Sequence, residues 1–314
     1  MAVIGVDVGG TKLAGGVVAE GLEPVVAERV PTPRAQEALL DAVVALVRRL
    51  AERAPEPPRA VGLGIPSLID RASGVALWTV NAELRDVDVG AVLRQRLGLP
   101  VVVDNDANLA LMAEHRAGAA RGRSVALMLT IGTGIGSGIL MDGRIYRGSR
   151  GTGAELGHVT VQADGPPCQG HCPNRGCLET MVSGTALARD ARARAAAETG
   201  SALAAAASRG EEIDAPLVAR LARGGDPAAR AVVERAGRYL GAGLAGLANA
   251  FDPEVFVVGG GVGDLGELLL APARAEYALR ALPPNAGAPV VTAAFGADAG
   301  MVGAAMLARD EVGE

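Results

Sequence analysis

VIGVDVGGTKLAGGVV (residues 3–18) decides the fold. Apolar and small residues alternate up to Asp7, a pair of glycines interrupts them, and the alternation resumes after Lys12. This reads as strand, glycine turn, strand, and EPVVAERV (residues 23–30) adds a third strand. The unit returns at SVALMLTIGTGIGSGILMDGRIYRG (residues 124–148), again strand, Gly-rich turn, strand. Two halves that open in the same way predict a duplicated α/β domain: two lobes with a central cleft.

The remaining elements fill in between these units. Leu39, Leu40, Val43, Val47 and Leu50 recur at helical spacing and predict a helix from Gln36 to Arg53, ended by APEPP. RAVGLGIP reads as a buried strand, VDVGAVLRQRLGLP as a short helix stopped by Gly98 and Pro100, and VVVDNDAN as a strand ending in polar residues. Helices dominate from Ser183 to Ala250 with a break near 208–214; in the last, Asp226 is the expected N-cap and Pro227 the first helical residue. That helix carries Gly241, Gly243 and Gly246, which cost it about 1 kcal/mol each and so predict close approach of another element. DPEVFVVGGGVG (residues 252–263) is a strand and triple-glycine turn, and a helix from Asp298 to Asp310 closes the chain. The expected partition is residues 1–109 with 298–314 in a small lobe and 110–297 in a large one, the final helix crossing back onto the first.

Composition limits the classes. The chain has 314 residues, 49% of them hydrophobic and only 2% aromatic, so its core must be built from Ala, Val and Leu. A net charge of −5 speaks against a general nucleic-acid surface. The N-terminus runs directly into a strand, with no signal-type segment and no apolar run of membrane-spanning length elsewhere, so a cytoplasmic location is expected. Reducing conditions there leave the three cysteines in need of a role other than disulfides.

The glycine turns suit phosphate. In Asp7–Lys12, consecutive glycines (Gly9, Gly10) let backbone N–H groups face one concavity, Thr11 and Lys12 add a hydroxyl and a cation, and Asp7 at the strand end suits a hydrated Mg²⁺. Gly132, Thr133 and Gly134 repeat the arrangement for the outer phosphates, and Gly260 and Gly261 make room for an adenosine. A single turn of this kind is more often a plain hairpin; three of them, two opening matched halves, point to a nucleotide. No G-x-G-x-x-G stands between a strand and a helix, and no Walker A pattern is present.

VVVDNDANLA (residues 101–110) sets Asp104, Asn105, Asp106 and Asn108 where a strand gives way to a helix. One of them serving only as an N-cap is the simple reading; a sugar kinase also needs a carboxylate to take the proton of the attacking hydroxyl and an amide to orient the sugar. Downstream lie Glu155 and His158 in GTGAELGHV and Glu179 in NRGCLE, side chains suited to a polyhydroxylated ligand. His158, Cys168, Cys172 and Cys177 fall within 20 residues and include every cysteine of the chain, a tetrahedral zinc set. His171 is a rival ligand; His158 is favoured by its E-x-G-H setting, and such a zinc would be structural.

DVGGTK, VDNDAN, GTGAELGH and NRGCLE, in this order, resemble the ROK family of sugar kinases and sugar-responsive repressors, over essentially the whole chain. The resemblance implies an actin/hexokinase-like (ribonuclease H-like) fold and ATP- and Mg²⁺-dependent phosphorylation of a hexose at its primary hydroxyl, glucose first. Fructose, mannose, N-acetylmannosamine and N-acetylglucosamine are the alternatives. It implies Asn105, Asp106, Glu155, His158 and Glu179 as sugar ligands, with Asp106 the catalytic base, and a homodimer or larger assembly. GLGIPSLID (residues 62–70) is similar to the family's sugar-side loop, with Ser67 where the family more often has Gly; Asn81 is a further sugar contact to test. The family's C-x-C-G-x-x-G-C is here CQGHCPNRGC (residues 168–177), two residues longer between its first cysteines. A repressor would need a DNA-binding module, for which the six residues before Asp7 leave no room. A hexose bridging both lobes is expected to close the cleft.

Overall fold

The computed structural model describes residues 1–19, 21–70, 75–79, 84 and 87–313. Asn81 lies outside these. In chain order the elements are β1 (Val3–Val8), β2 (Lys12–Val18), β3 (Val26–Pro31), α1 (Gln36–Glu52), β4 (Val61–Ile65), β5 (Ser67–Ile69), β6 (Ala76–Thr79), α2 (Val89–Leu97), β7 (Val101–Asn105) and α3 (Asp106–Ala117). There follow β8 (Ala126–Ile131), β9 (Ile135–Met141), β10 (Arg144–Tyr146), α4 (Leu178–Val182), α5 (Gly184–Ala197), α6 (Ala202–Ser208), α7 (Ala215–Arg223), α8 (Pro227–Phe251), β11 (Val255–Gly259), α9 (Gly260–Gly263), α10 (Glu267–Arg280), β12 (Val290–Thr292) and α11 (Ala299–Glu311).

The repeated opening becomes repeated topology. One five-stranded sheet has the order β3-β2-β1-β4-β7 and the other β10-β9-β8-β11-β12. In each, the first three strands form an antiparallel meander and the last two join the first in parallel. This is the duplicated ribonuclease H-like α/β fold of the actin/hexokinase class. The chain divides into two compact units, residues 1–122 with 138–154 and 294–314, and residues 123–137 with 155–293.

In the first unit, β1 and β4 are buried on both faces. α1 covers one face with Leu39, Leu40, Val43, Val47 and Leu50, the residues its periodicity selected. The final helix α11 returns to the other face and packs on β1, β4 and α3. A Cβ on Gly62 would stand 1.8 Å from the Ala304 carbonyl oxygen, so only glycine lets α11 lie this close to the sheet. α3 is buried from Ala107 to Glu114 because α11 lies along it, and His115 at its end is half-buried. Asp142 and Gly143, both at positive φ (51° and 70°), make the two-residue hairpin between β9 and β10.

In the second unit α8 is the central helix. Asp226 caps it through Ala229 N–H at 2.8 Å and also accepts from Ala202 N–H at the start of α6. The glycines of α8 answer to neighbours at two of the three expected positions. A Cβ on Gly241 would be 2.2 Å from the Ala273 carbonyl oxygen of α10, and one on Gly243 2.9 Å from Leu178. Gly246 has nothing within 4 Å.

Candidate functional site

The first turn is tied by short backbone bonds: Gly9 N–H donates to the Lys12 carbonyl at 3.0 Å, Thr32 N–H to the Thr11 carbonyl at 3.1 Å, and the Thr32 hydroxyl to the Gly9 carbonyl at 2.7 Å. Gly10, Thr11 and Lys12 are exposed at its tip. Asp7, at the end of β1, lies beside Gly64 of β4 in the parallel register and against the first turn of α11. A Cβ on Gly300 would come within 2.7–2.9 Å of the Asp7 carboxylate, so the small residue makes the slot this carboxylate occupies. Burial, with the negative charge of Asp106 added, pushes the Asp7 carboxyl up to about 7. Its Oδ1 is buried with no hydrogen-bond partner among the described residues.

Asp106 opens α3. Burial raises its carboxyl to about 6, against the lowering effect of the Ala107 N–H, which donates to Oδ1 at 2.9 Å. The cap of this helix is Asn105: its Oδ1 accepts from Ala107 N–H at 3.0 Å and Asn108 N–H at 3.2 Å, and its Nδ2 donates to the Ser67 carbonyl at 3.4 Å. Ser67 itself is buried, its hydroxyl donating to the Leu68 carbonyl at 3.1 Å. Asp104, one residue earlier, accepts from Asn105 N–H at 2.8 Å and Asn108 Nδ2 at 3.2 Å through Oδ1, and from Arg147 Nε at 2.9 Å and Nη2 through Oδ2. A side-chain oxygen that caps a helix is fixed in direction, so Asn105 and Asp106 leave the strand end in one defined orientation.

In the second unit, Gly132–Gly134 forms the turn between β8 and β9. Gly132 N–H donates to the Gly134 carbonyl at 2.9 Å, and the Gly132 carbonyl accepts from Gly184 N–H, the first residue of α5, at 2.7 Å. The Thr133 carbonyl accepts from Thr185 Oγ1 at 2.9 Å and Gln169 Nε2 at 3.2 Å. A Cβ on Gly132 would meet open space. Glu179 is buried beneath this turn: its Oε2 accepts from Ile135 N–H at 2.7 Å, and a Cβ on Gly134 would lie 2.4 Å from that oxygen. Gly260, at φ 80°, lies against the end of β8, where a Cβ would be 2.5 Å from the Ile131 carbonyl oxygen; Gly261 faces open space.

Glu155 follows Ala154, whose φ of 69° is unusual for a residue with a side chain, and precedes a single turn of 3₁₀ helix, Leu156–His158. That turn is held by Leu156 N–H donating to the buried Ser137 hydroxyl at 2.9 Å. His158 is thereby placed with Nε2 at 4.0 Å from Glu155 Oε2 and Nδ1 at 3.5 Å from Cys168 Sγ. The ligating atoms of His158, Cys168, Cys172 and Cys177 all lie within 4.8 Å of one another. Tetrahedral zinc, with Zn–S of about 2.3 Å and Zn–N of about 2.0 Å, sets ligand atoms roughly 3.5–3.8 Å apart, so these four fit such an ion with small adjustment. His171 is not one of the group. Burial raises the thiols of Cys168 and Cys177, a cost that a bound cation removes by holding them as thiolates.

The structure thus gathers Asn105, Asp106 and Ser67 at one end of the first sheet with Asp7–Lys12, and Glu155, His158, Glu179, the cysteines and Gly132–Gly134 in the second unit. Sequence reading passed over Arg147, whose one visible signal is a cation inside the Gly-rich run RGSRGTG (residues 147–153). The model of the ROK family matches residues 3–311. A glucokinase of Streptomyces coelicolor is 39% identical over 98% of this chain and 97% of its own. A glucokinase of Thermotoga maritima is 35% identical over 99% of this chain and 98% of its own. The crystal structure of a ROK family glucokinase from Streptomyces griseus in complex with glucose and AMPPNP superposes with a TM-score of 0.89 at 39% identity, covering 99% of this chain and 100% of that one.

Proposed function

This chain belongs to the ROK family, and from that premise we propose that it is a glucokinase, transferring the γ-phosphoryl group of ATP to the 6-hydroxyl of glucose. The observation that carries the chemistry is Asp106: a half-buried carboxyl lifted to about 6, beside the fixed amide of Asn105, is ionised at neutral pH yet a good proton acceptor.

Asp106 takes the proton of the attacking hydroxyl. Because Oδ1 already accepts from Ala107 N–H, Oδ2 is assigned that proton. Asn105, Glu155, His158 and Glu179 hold the sugar hydroxyls, with the Ser67 loop beside Asn105. Gly9, Gly10, Thr11 and Lys12, with Gly132, Thr133 and Gly134, take the phosphates, and Gly260 and Gly261 the adenosine. The partnerless buried oxygen of Asp7 suits hydrated Mg²⁺. Mg²⁺-ATP, when bound, supplies the phosphoryl group and offsets the charge that develops on it. Zinc on His158, Cys168, Cys172 and Cys177 stiffens the segment carrying Glu155 and Glu179, using the Nδ1 side of His158 and leaving Nε2 toward Glu155. The acidic net charge speaks against nucleic acid as a partner, and among the described residues no helix is long and apolar enough to cross a membrane; a cytoplasmic location and, from family resemblance, a homodimer belong to this reading.

Steady-state assays with glucose and the alternative hexoses test the reading. Asp106→Asn keeps the shape and removes the proton acceptor, so kcat falls by about 10² or more while glucose still binds. Near-normal turnover in that variant would assign the proton to another group.

A further inference from the structure

Arg147 follows β10 and begins a loop that closes on itself. Gly153 N–H donates to the Arg147 carbonyl at 2.9 Å, and Gly148 and Gly153 pack so closely that a Cβ on either would meet the other's backbone at about 3 Å. The loop then runs through Ala154, in its left-handed conformation, to Glu155. The Arg147 guanidinium grips Asp104 in a two-pronged contact through Nε and Nη2, while Nη1 donates to the Ile145 carbonyl at 3.3 Å. The side chains of Arg147 and Asp104 are 26% and 10% exposed, so the pair is largely withdrawn from water. On its other oxygen Asp104 holds Asn105 N–H and Asn108 Nδ2. Those are the bonds that set the junction of β7 and α3.

We propose that Arg147 is a positioning residue for the sugar: through Asp104 it fixes the direction in which Asn105 and Asp106 leave the strand. This rests on the reading of Asn105 and Asp106 as sugar and proton-transfer residues. With Nε and Nη2 both on Oδ2, the planar guanidinium anchors that oxygen from two donors and leaves Oδ1 to Asn105 N–H and Asn108 Nδ2, an arrangement a lysine ammonium does not reproduce. Without it, the Asp104 carboxylate is left buried and uncompensated and must turn toward water, taking the Asn105 N–H and the Asn108 amide with it. A displacement of about 1 Å at such a junction suffices to cost 10² in rate. The turns that take the nucleotide make none of these bonds, so the effect falls on the sugar.

The test is steady-state kinetics with glucose and ATP varied separately, together with calorimetric titration of glucose, on the wild type, Arg147→Met, Arg147→Lys and the double variant Asp104→Asn/Arg147→Met. Arg147→Met is expected to raise glucose KM and Kd by about fivefold or more and lower kcat by about tenfold or more, with ATP KM within about twofold. The double variant removes the stranded charge and recovers at least about threefold of the lost kcat. Arg147→Lys falls between wild type and Arg147→Met. A folded Arg147→Met with wild-type glucose KM and kcat overturns the proposal, as does a parallel rise in the KM of both substrates, which marks general loosening. If Arg147→Met does not fold, Arg147→Lys decides by the same split. A wild type that phosphorylates no hexose refutes the kinase reading and this inference with it; an active wild type with an indifferent Arg147→Met refutes this inference alone.

Discussion

Asp106→Asn should make the protein more stable as it makes it inactive, and the gain should grow with pH. The folded carboxyl is raised to about 6 from its ordinary 3.8, chiefly by burial. A raised acid favours folding while protonated, and that contribution is lost as pH climbs from the unfolded value through the folded one. At pH 8 the group is ionised in both states and its burial costs the fold at most about 3 kcal/mol, from 1.36 kcal/mol per pKa unit. At pH 5 the same arithmetic gives about 1.5 kcal/mol. Asparagine can still accept the Ala107 N–H and carries no charge, so the substitution removes this cost. It also lifts the repulsion that helps hold Asp7 near 7. Denaturant titrations of both proteins at pH 5 and pH 8, in metal-free buffer, should show the variant ahead at both, by roughly twice as much at pH 8. Equal stabilities at pH 8, or a gain independent of pH, would refute the claim that Asp106 sits ionised at a cost. Carboxylates kept for function at the expense of stability are the expected pattern in active sites.

The same carboxyl sets the acid limb of the rate: kcat/KM for glucose should fall about tenfold per unit below roughly pH 6, and a profile flat to pH 5 would contradict it. Gly300→Ala puts a methyl within 2.7–2.9 Å of the Asp7 carboxylate; it should raise the Mg²⁺ concentration needed for half-maximal rate several-fold while leaving glucose Kd unchanged, measured by magnesium titration and calorimetry. Metal analysis of untagged protein should find one zinc per chain, and its removal should expose three reactive thiols and lower the melting temperature. A fully active, metal-free protein would rule zinc out. Light scattering at micromolar concentration should give a dimer or larger, and a monomer would count against the assembly.

Much of this molecule was legible in one dimension because the signals are short-range. Strand alternation, the paired glycine turns, the Leu39–Leu50 helical face, Asp226 before Pro227, and Gly98 (φ 69°) ending α2 each depend on residues a few positions apart, and the repeated opening marked the duplication, while the matching order of all five strands in each five-stranded sheet came only with the fold. The cysteine cluster was legible as well, since its four members span only residues 158 to 177. What only the tertiary structure decided are contacts across long stretches of chain. Arg147 meets Asp104 from 43 residues away, and Glu179 accepts from Ile135 N–H 44 residues before it. α11 buries α3, which in isolation reads as a surface helix, and the glycines at 62, 241 and 300 take their meaning from a carbonyl or carboxylate on another element. Gly246 shows the limit from the other side: its sequence signal equals that of Gly241, yet nothing approaches it. Helix and strand periods fix which face of an element is apolar, but the partner of that face, and the burial that lifts Asp7 and Asp106, arise only when distant segments exclude water together.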